Sequence, residues 1–190
     1  MKTIVLASKS PRRKALLEKI GLKFIIYPSN YKEANISLPP EKYVKHLSLQ
    51  KAKVVGKKFK NALIIAADTI VVIDSEIIGK PKDLEDAKRI LKKLSGKMHF
   101  VYTGFTIFDT DSQRSKTKSS KSKVYFKNLS SREIESYVKS GKPFDKAGGY
   151  AIQEKAGIFI RKVEGDFFNI VGLPIYSLVN ELKKFGFDII

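Results

Sequence analysis

The sequence predicts an α/β fold built on a mixed, partly antiparallel twisted sheet with flanking helices, in one domain spanning residues 1–190. Three observations carry that expectation. The chain opens on a strand, a tight loop and a helix in immediate succession. A continuous apolar run follows at Leu63-Ile64-Ile65-Ala66-Ala67, and two long strand-like stretches between Phe100 and Phe126 flank a polar tip. Strands interleaved with helices are the pattern of α/β proteins, and a hairpin among them makes the sheet mixed.

Each element has a local reason. Thr3 to Ala7 is apolar and short, and Ser10 then stands as an N-cap with Pro11 at the first helical position. Ala15, Leu16, Leu17 and Ile20 give that helix its apolar side, and Gly21 stops it. Leu22 to Tyr27 reads as a second strand and Pro28 to Pro40 as a polar loop carrying Glu33. A longer helix is expected from Glu41 to about Lys58, with Tyr43, Val44, Leu47, Ala52 and Val55 on its apolar side. The run at Leu63 reads as a strand covered on both faces; it ends at Asp68-Thr69 and resumes as Ile70 to Ile73. After a turn at Asp74-Ser75-Glu76 comes Ile77-Ile78. Asp83 caps a helix that reaches Leu94 and closes at Gly96. Phe100 to Asp109 and Lys121 to Phe126 are expected strands, with Thr110 to Ser120 as a solvated loop. Ser130-Ser131-Arg132-Glu133 is a capping box opening a helix to Ser140. A strand pair around Tyr150 to Gln153 and Ile158 to Val163, and a helix from Pro174 to Phe185, complete the chain.

Composition excludes several chemistries. With no cysteine there is no disulfide framework, thiolate zinc site or cysteine nucleophile, and with only His46 and His99 no three-histidine metal site. No apolar run approaches the ~20 residues of a membrane span, and the apolar start Ile4-Val5-Leu6-Ala7 is too short for a signal peptide, so a cytoplasmic location is expected. The net charge of +18 suggests an anionic partner. Of the 37 basic residues, however, 31 are lysines spread along the whole chain. Dispersed lysine reads as a solvated surface, which argues against nucleic acid as that partner.

Four short motifs carry chemistry. Ser8-Lys9-Ser10-Pro11-Arg12-Arg13 places two serine hydroxyls and two guanidiniums at a helix start, where unpaired backbone N–H groups already attract anions. Arginine matches phosphate bidentately, so the cluster suits a polyphosphate; an ordinary capped helix with solvated arginines is the plainer alternative. Asp68 interrupts an apolar strand, a costly place for a carboxylate unless it is paired, metal-bound or in a cleft. It falls where the strand is expected to end, and clefts of open α/β sheets lie at strand carboxyl ends. Lys80, held on a rigid turn between Gly79 and Pro81, can meet phosphate as a point charge, as can 30 other lysines of the chain. Asp145-Lys146-Ala147-Gly148-Gly149-Tyr150 with Ile152-Gln153 joins paired glycines to an amide able to read a base edge, a glycine turn with a surface amide being the plainer alternative. His99 reads as a structural histidine rather than a base.

Together and in this order these motifs resemble the Maf family of nucleoside triphosphate pyrophosphatases. The matching text is Leu6-Ala7-Ser8-Lys9-Ser10-Pro11-Arg12-Arg13, Gln50-Lys51-Ala52, Ala66-Ala67-Asp68-Thr69-Ile70-Val71, Gly79-Lys80-Pro81-Lys82-Asp83, Leu94-Ser95-Gly96-Lys97-Met98-His99 with Thr103-Gly104, Asp145-Lys146-Ala147-Gly148, and Asn169-Ile170-Val171-Gly172-Leu173-Pro174. The resemblance implies two lobes around a central cleft, often a homodimer, and hydrolysis of nucleotides between the α- and β-phosphates. It makes Asp68 the proton acceptor, and gives Ser8, Arg12, Arg13, Lys51 and Lys80 to the triphosphate. Glu33 and Asp68 would bind a divalent cation, Mg²⁺ or Mn²⁺. Arg12 or Arg13, Thr69 and Gln153 fall where the branch acting on dTTP and UTP has its specificity residues. Two positions depart from the pattern: Lys142 where the family often has Glu, and Glu154 where Gly commonly follows the Gln. Two alternatives stay open at this point, a 7-methyl-GTP pyrophosphatase and a basic nucleic-acid or cell-division binding protein.

Overall fold

A computed structural model describes residues 2–33, 36–141 and 143–189. Among the described residues seven strands form one mixed sheet in the order β2 (Ile25–Ile26), β1 (Thr3–Leu6), β3 (Ala62–Ile73), β5 (Met98–Asp109), β6 (Ser115–Phe126), β7 (Ile160–Glu164), with β4 (Glu76–Ile78) paired to β3. The chain gathers into two compact units, the first comprising Met1–Asp68, Thr103–Ser120 and Gly172–Ile190, the second Thr69–Tyr102 and Lys121–Val171.

In the first unit β1 (Thr3–Leu6) lies parallel between β2 (Ile25–Ile26) and β3 (Ala62–Ile73), with Val5 opposite both Ile25 and Ile64. The second strand is shorter than the expected Leu22 to Tyr27. The turn that ends helix α1 (Pro11–Lys19) consumes Leu22, whose N–H bonds back to the Leu17 carbonyl at 3.1 Å. Ser10 caps α1 as expected, its hydroxyl accepting from the Arg13 N–H. Helix α2 (Pro40–Gly56) buries Val44, Leu47, Ala52 and Val55. Ala52 and Val55 pack with Val5, Ile64, Ala66 and Phe108. A Cβ at Gly104 would lie 2.4 Å from the Val44 carbonyl carbon, so glycine there lets the α2 backbone approach strand β5 (Met98–Asp109).

Two expectations fail here for identifiable reasons. β3 runs unbroken for 12 residues, so Asp68 and Thr69 sit in mid-strand and not at its carboxyl end. Ladder hydrogen bonds are made by the backbone, so a polar side chain with a partner of its own need not break the strand. Asp68 has such a partner in Lys51. The polar tip is likewise mostly strand: β6 begins at Ser115 and runs to Phe126, and only residues 110–114 turn. Its hydroxyls and ammonium find partners across the unit, Thr117 with Thr106 at 2.8 Å, Ser119 with Glu41 at 3.1 Å, and Lys118 with buried Glu181 at 2.6 Å. Composition marks this stretch as solvated; its place in the sheet beside β5 makes it structure. Helix α6 (Ile175–Lys183), which carries Glu181, closes the unit.

The second unit is built on α3 (Leu84–Leu94) and α4 (Ser131–Lys139), whose apolar faces pack over Val101, Val124 and Phe126. Both caps read from sequence are present: Asp83 accepts from the Asp86 N–H, and Ser130 and Glu133 form a reciprocal capping box. Strand β4 (Glu76–Ile78) pairs antiparallel with β3, and β7 (Ile160–Glu164) antiparallel with β6. Tyr150 to Gln153 is not a strand. Gly148 and Gly149 both take positive φ, +69° and +72°, and turn the chain before it can extend. Helix α5 (Phe167–Val171) has no counterpart in the sequence reading; Asp166 opens it by accepting from the Phe168 N–H at 2.8 Å.

Candidate active site

Three elements of the first unit bring their polar ends together. β1 delivers the chain to buried Ser8, and α1 follows at once with the two arginines. Ser8 Oγ accepts from the Ser10 N–H and from Arg13 Nη1, both at 3.2 Å. Arg13 Nε donates to the Gly172 carbonyl at 2.9 Å. The guanidinium is therefore fixed between the start of α1 and the turn before α6. Burial lowers its pKa, and the nearby Asp68 charge offsets part of that effect while Arg12 adds to it.

The second part is a carboxylate pair bridged by one ammonium. Lys51 Nζ, from α2, lies 2.5 Å from Asp68 Oδ1 on β3 and 2.7 Å from Glu33 Oε1 in the preceding loop. Lys51 and Asp68 are largely buried, their side chains 17% and 13% exposed. Burial works against the charged amine, but the Asp68 charge and the bonds to Asp68 and Glu33 outweigh it and raise the Lys51 pKa. The ammonium therefore persists at neutral pH. It has three N–H donors and two are spent on carboxylates, which leaves one for a further acceptor.

Tyr43, also on α2, belongs to this neighbourhood. Burial, with the Glu33 and Asp68 charges behind it, pushes its hydroxyl pKa up. The sequence reading placed Tyr43 only on an apolar helix face, and it gave Gly172 no part in holding Arg13. The signal for the latter lay in the Asn169–Pro174 motif, which assigns no partner by itself.

Glu33 and Asp68 satisfy the first requirement of a cation site, since two carboxylates already converge on one positive centre. Among the described residues no cluster of three or more His, Asp or Glu could hold a metal. Two hard oxygen donors suit Mg²⁺ or Mn²⁺, ions that commonly take one or two carboxylates and complete their shell with water and phosphate oxygens. A closed all-protein metal cage is not what these residues make.

The second unit holds Thr69, Lys80 and Gln153. Thr69 is half-buried in β3, Lys80 is exposed just after β4, and Gln153 is exposed on the turn after Gly148 and Gly149. The two loops are joined directly, because the Gly148 N–H donates to the Gly79 carbonyl at 2.9 Å. His99 is buried, with Nε2 2.6 Å from the Tyr150 hydroxyl, and burial lowers its pKa to about 3. It stays neutral and serves packing, as the sequence suggested. Glu154 is half-buried and paired with Lys146 at 3.3 Å; Lys142 lies outside the described residues.

Fold and site thus define a class: a mixed α/β protein presenting fixed cationic side chains beside a lysine-bridged carboxylate pair. The chain belongs to the Maf family, whose model, described as Maf-like protein, matches residues 3–185. It is 48% identical over 194 residues to the dTTP/UTP pyrophosphatase of Caldicellulosiruptor saccharolyticus, covering 100% of this chain and 98% of that protein. It is 49% identical over 192 residues to the dTTP/UTP pyrophosphatase of Ruminiclostridium cellulolyticum, covering all of both. Among solved structures the Staphylococcus aureus Ham1 protein matches with a TM-score of 0.52 over 97% of each chain at 13% identity, a likeness of fold. No helix among the described residues is long and apolar enough to cross a membrane.

Proposed function

We propose that this chain hydrolyses dTTP and UTP between the α- and β-phosphates, giving the monophosphate and pyrophosphate. The observation that carries the reading is Lys51 bridging Asp68 and Glu33 at 2.5 and 2.7 Å. It sets a carboxylate able to take a proton from water beside an ammonium with a donor to spare. Relatives sharing almost half the sequence and named dTTP/UTP pyrophosphatase support the same reading.

Each residue then has a task. Asp68 accepts the proton of the attacking water, as general-base catalysis at a phosphorus requires. Arg12, Arg13, Lys51 and Lys80 neutralise the triphosphate, and Ser8 holds Arg13 in its working orientation through the 3.2 Å bond. Glu33 and Asp68 would hold a divalent cation, Mg²⁺ or Mn²⁺, which when bound supplies Lewis-acid charge to the phosphate oxygens. Gln153 reads the base: its amide offers one acceptor and one donor, matching the N–H and adjacent carbonyl of thymine or uracil. Thr69 and Arg12 or Arg13 complete that selectivity. The reading also includes action in the cytoplasm on free nucleotides and a homodimer as the working assembly.

The test is a pyrophosphate-release screen over dTTP, UTP and 7-methyl-GTP, with and without divalent cation. A site built to satisfy one base edge leaves its polar groups unpaired on another. We therefore expect kcat/KM for dTTP and UTP to exceed that for 7-methyl-GTP by about 10-fold, the worth of one hydrogen bond lost from the base edge. A preference for 7-methyl-GTP contradicts the reading.

A further inference from the structure

The first unit holds a cavity of about 620 Å³, in the size range of small-molecule sites, and none of its lining residues has a task in the reaction proposed above. It lies at the amino end of β1, against Thr3 and Ile4, whereas Ser8 follows the carboxyl end of the same strand. The connection from α1 to β2 contributes Leu22, Phe24 and Ile25, and the tail beyond α6 contributes Phe187 and Ile189. Each of these three walls is pinned by a backbone bond. The Thr3 N–H donates to the Asn61 carbonyl at 3.0 Å, and the Leu22 and Phe187 N–H groups donate to the Leu17 and Leu182 carbonyls, both at 3.1 Å. The last two close the turns at Gly21 and Gly186, where φ of +72° and +79° carries the chain out of a helix and back to the cavity. The cavity is thus part of the fold.

Its charge balance points to a ligand class. Lys2, Lys23 and Asp188 form the polar part of the lining. Lys2 is spent on Asp109 and on Asp111, the latter at 3.1 Å, and Asp188 lies 3.5 Å from Lys183. Lys23 is exposed and has no carboxylate partner among the described residues. One positive charge is therefore uncompensated beside an apolar cavity. Phe24 and Phe187 bring rings from two separate segments, and contact between rings adds to what burial of an aromatic body contributes. Such a cavity selects a molecule that is aromatic at one end and anionic at the other.

We propose that this cavity is a second binding site, separate from the catalytic one, for a small aromatic anion. The probe is anilinonaphthalene sulfonate, titrated into the full chain by fluorescence, with backbone amide chemical shifts locating it. Phenylnaphthylamine, which keeps the rings and lacks the sulfonate, and decanoate, an anion without a ring, complete the set. The sulfonate should saturate one site and shift residues 2–4, 21–25 and 187–189 most. Both other probes should bind about tenfold more weakly. Lys23→Glu changes an exposed side chain and leaves the core alone; it should weaken the sulfonate by about tenfold or more, the worth of one charge-assisted bond, and the neutral probe by less than about twofold. Thr3→Trp places an indole at an exposed strand position that favours aromatics, and should weaken both ring probes. Where Thr3→Trp does not fold, as judged by circular dichroism, Lys23→Glu decides. An unchanged sulfonate affinity in Lys23→Glu overturns the proposal, as does a neutral probe or decanoate that binds as tightly as the sulfonate. Shifts centred on other exposed apolar residues, such as Ile158 or Tyr176, mean adventitious probe binding only and overturn it too.

Discussion

Asp68→Asn should lower kcat for dTTP by about 10²–10⁴-fold, the usual worth of a general base, while nucleotide affinity changes little. Asparagine keeps the side chain's size and an oxygen that can accept from Lys51, so the mid-strand position stays filled and the 2.5 Å contact retains a partner. What is lost is the capacity to take a proton from water. Turnover is measured by pyrophosphate release and affinity by equilibrium binding in separate assays. Turnover within a few-fold of wild type would remove Asp68 from the role of base.

Lys51→Ala should lower kcat/KM for dTTP by about 10–100-fold, the range of a charge-assisted contact of ~1.5–3 kcal/mol. The loss has two sources. The ammonium's third donor no longer meets phosphate, and Asp68 and Glu33 lose the single cation that both contact. Without the ammonium the two carboxylates repel each other except where the divalent cation stands between them. Lys51→Arg should restore activity only in part, because the longer, planar guanidinium can pair both carboxylates but cannot reproduce the position and third donor of the compact ammonium. Wild-type kinetics in both variants would place the triphosphate elsewhere. The raised Lys51 pKa also sets an expectation for pH: the ammonium is present below its ordinary pKa and survives above it. An alkaline loss of activity that follows Lys51 therefore begins above the usual lysine range.

Much of this was legible in the sequence because local rules govern it. Ser10 and Pro11 open α1, Asp83 caps α3, and Ser130 with Glu133 boxes α4, all by contacts within four residues. The continuous apolar run of β3 was equally plain, since a strand buried on both faces has no polar alternation. Failures came where long-range partners overrule composition. Thr117, Lys118 and Ser119 read as loop residues, whereas pairing of β6 beside β5 makes them strand and Thr106, Glu181 and Glu41 take up their polar side chains. Asp68 read as a strand end, because nothing in the sequence reveals that Lys51, 17 residues earlier, neutralises it inside the sheet. At the site, the residue types were legible from the motifs and their joining was not. The bond from Arg13 to Gly172 spans 159 positions. Glu154 registered in the sequence only as an irregularity, and its pairing with buried Lys146 gives it a physical place.

The most direct measurement of the central claim is the identity of the products when the wild-type protein is incubated with dTTP and Mg²⁺. Cleavage between the α- and β-phosphates yields dTMP and pyrophosphate in equal amounts, resolved by ion-exchange chromatography, and that is the expected result. Formation of dTDP and inorganic phosphate instead would mean attack at the terminal phosphate and would contradict the account.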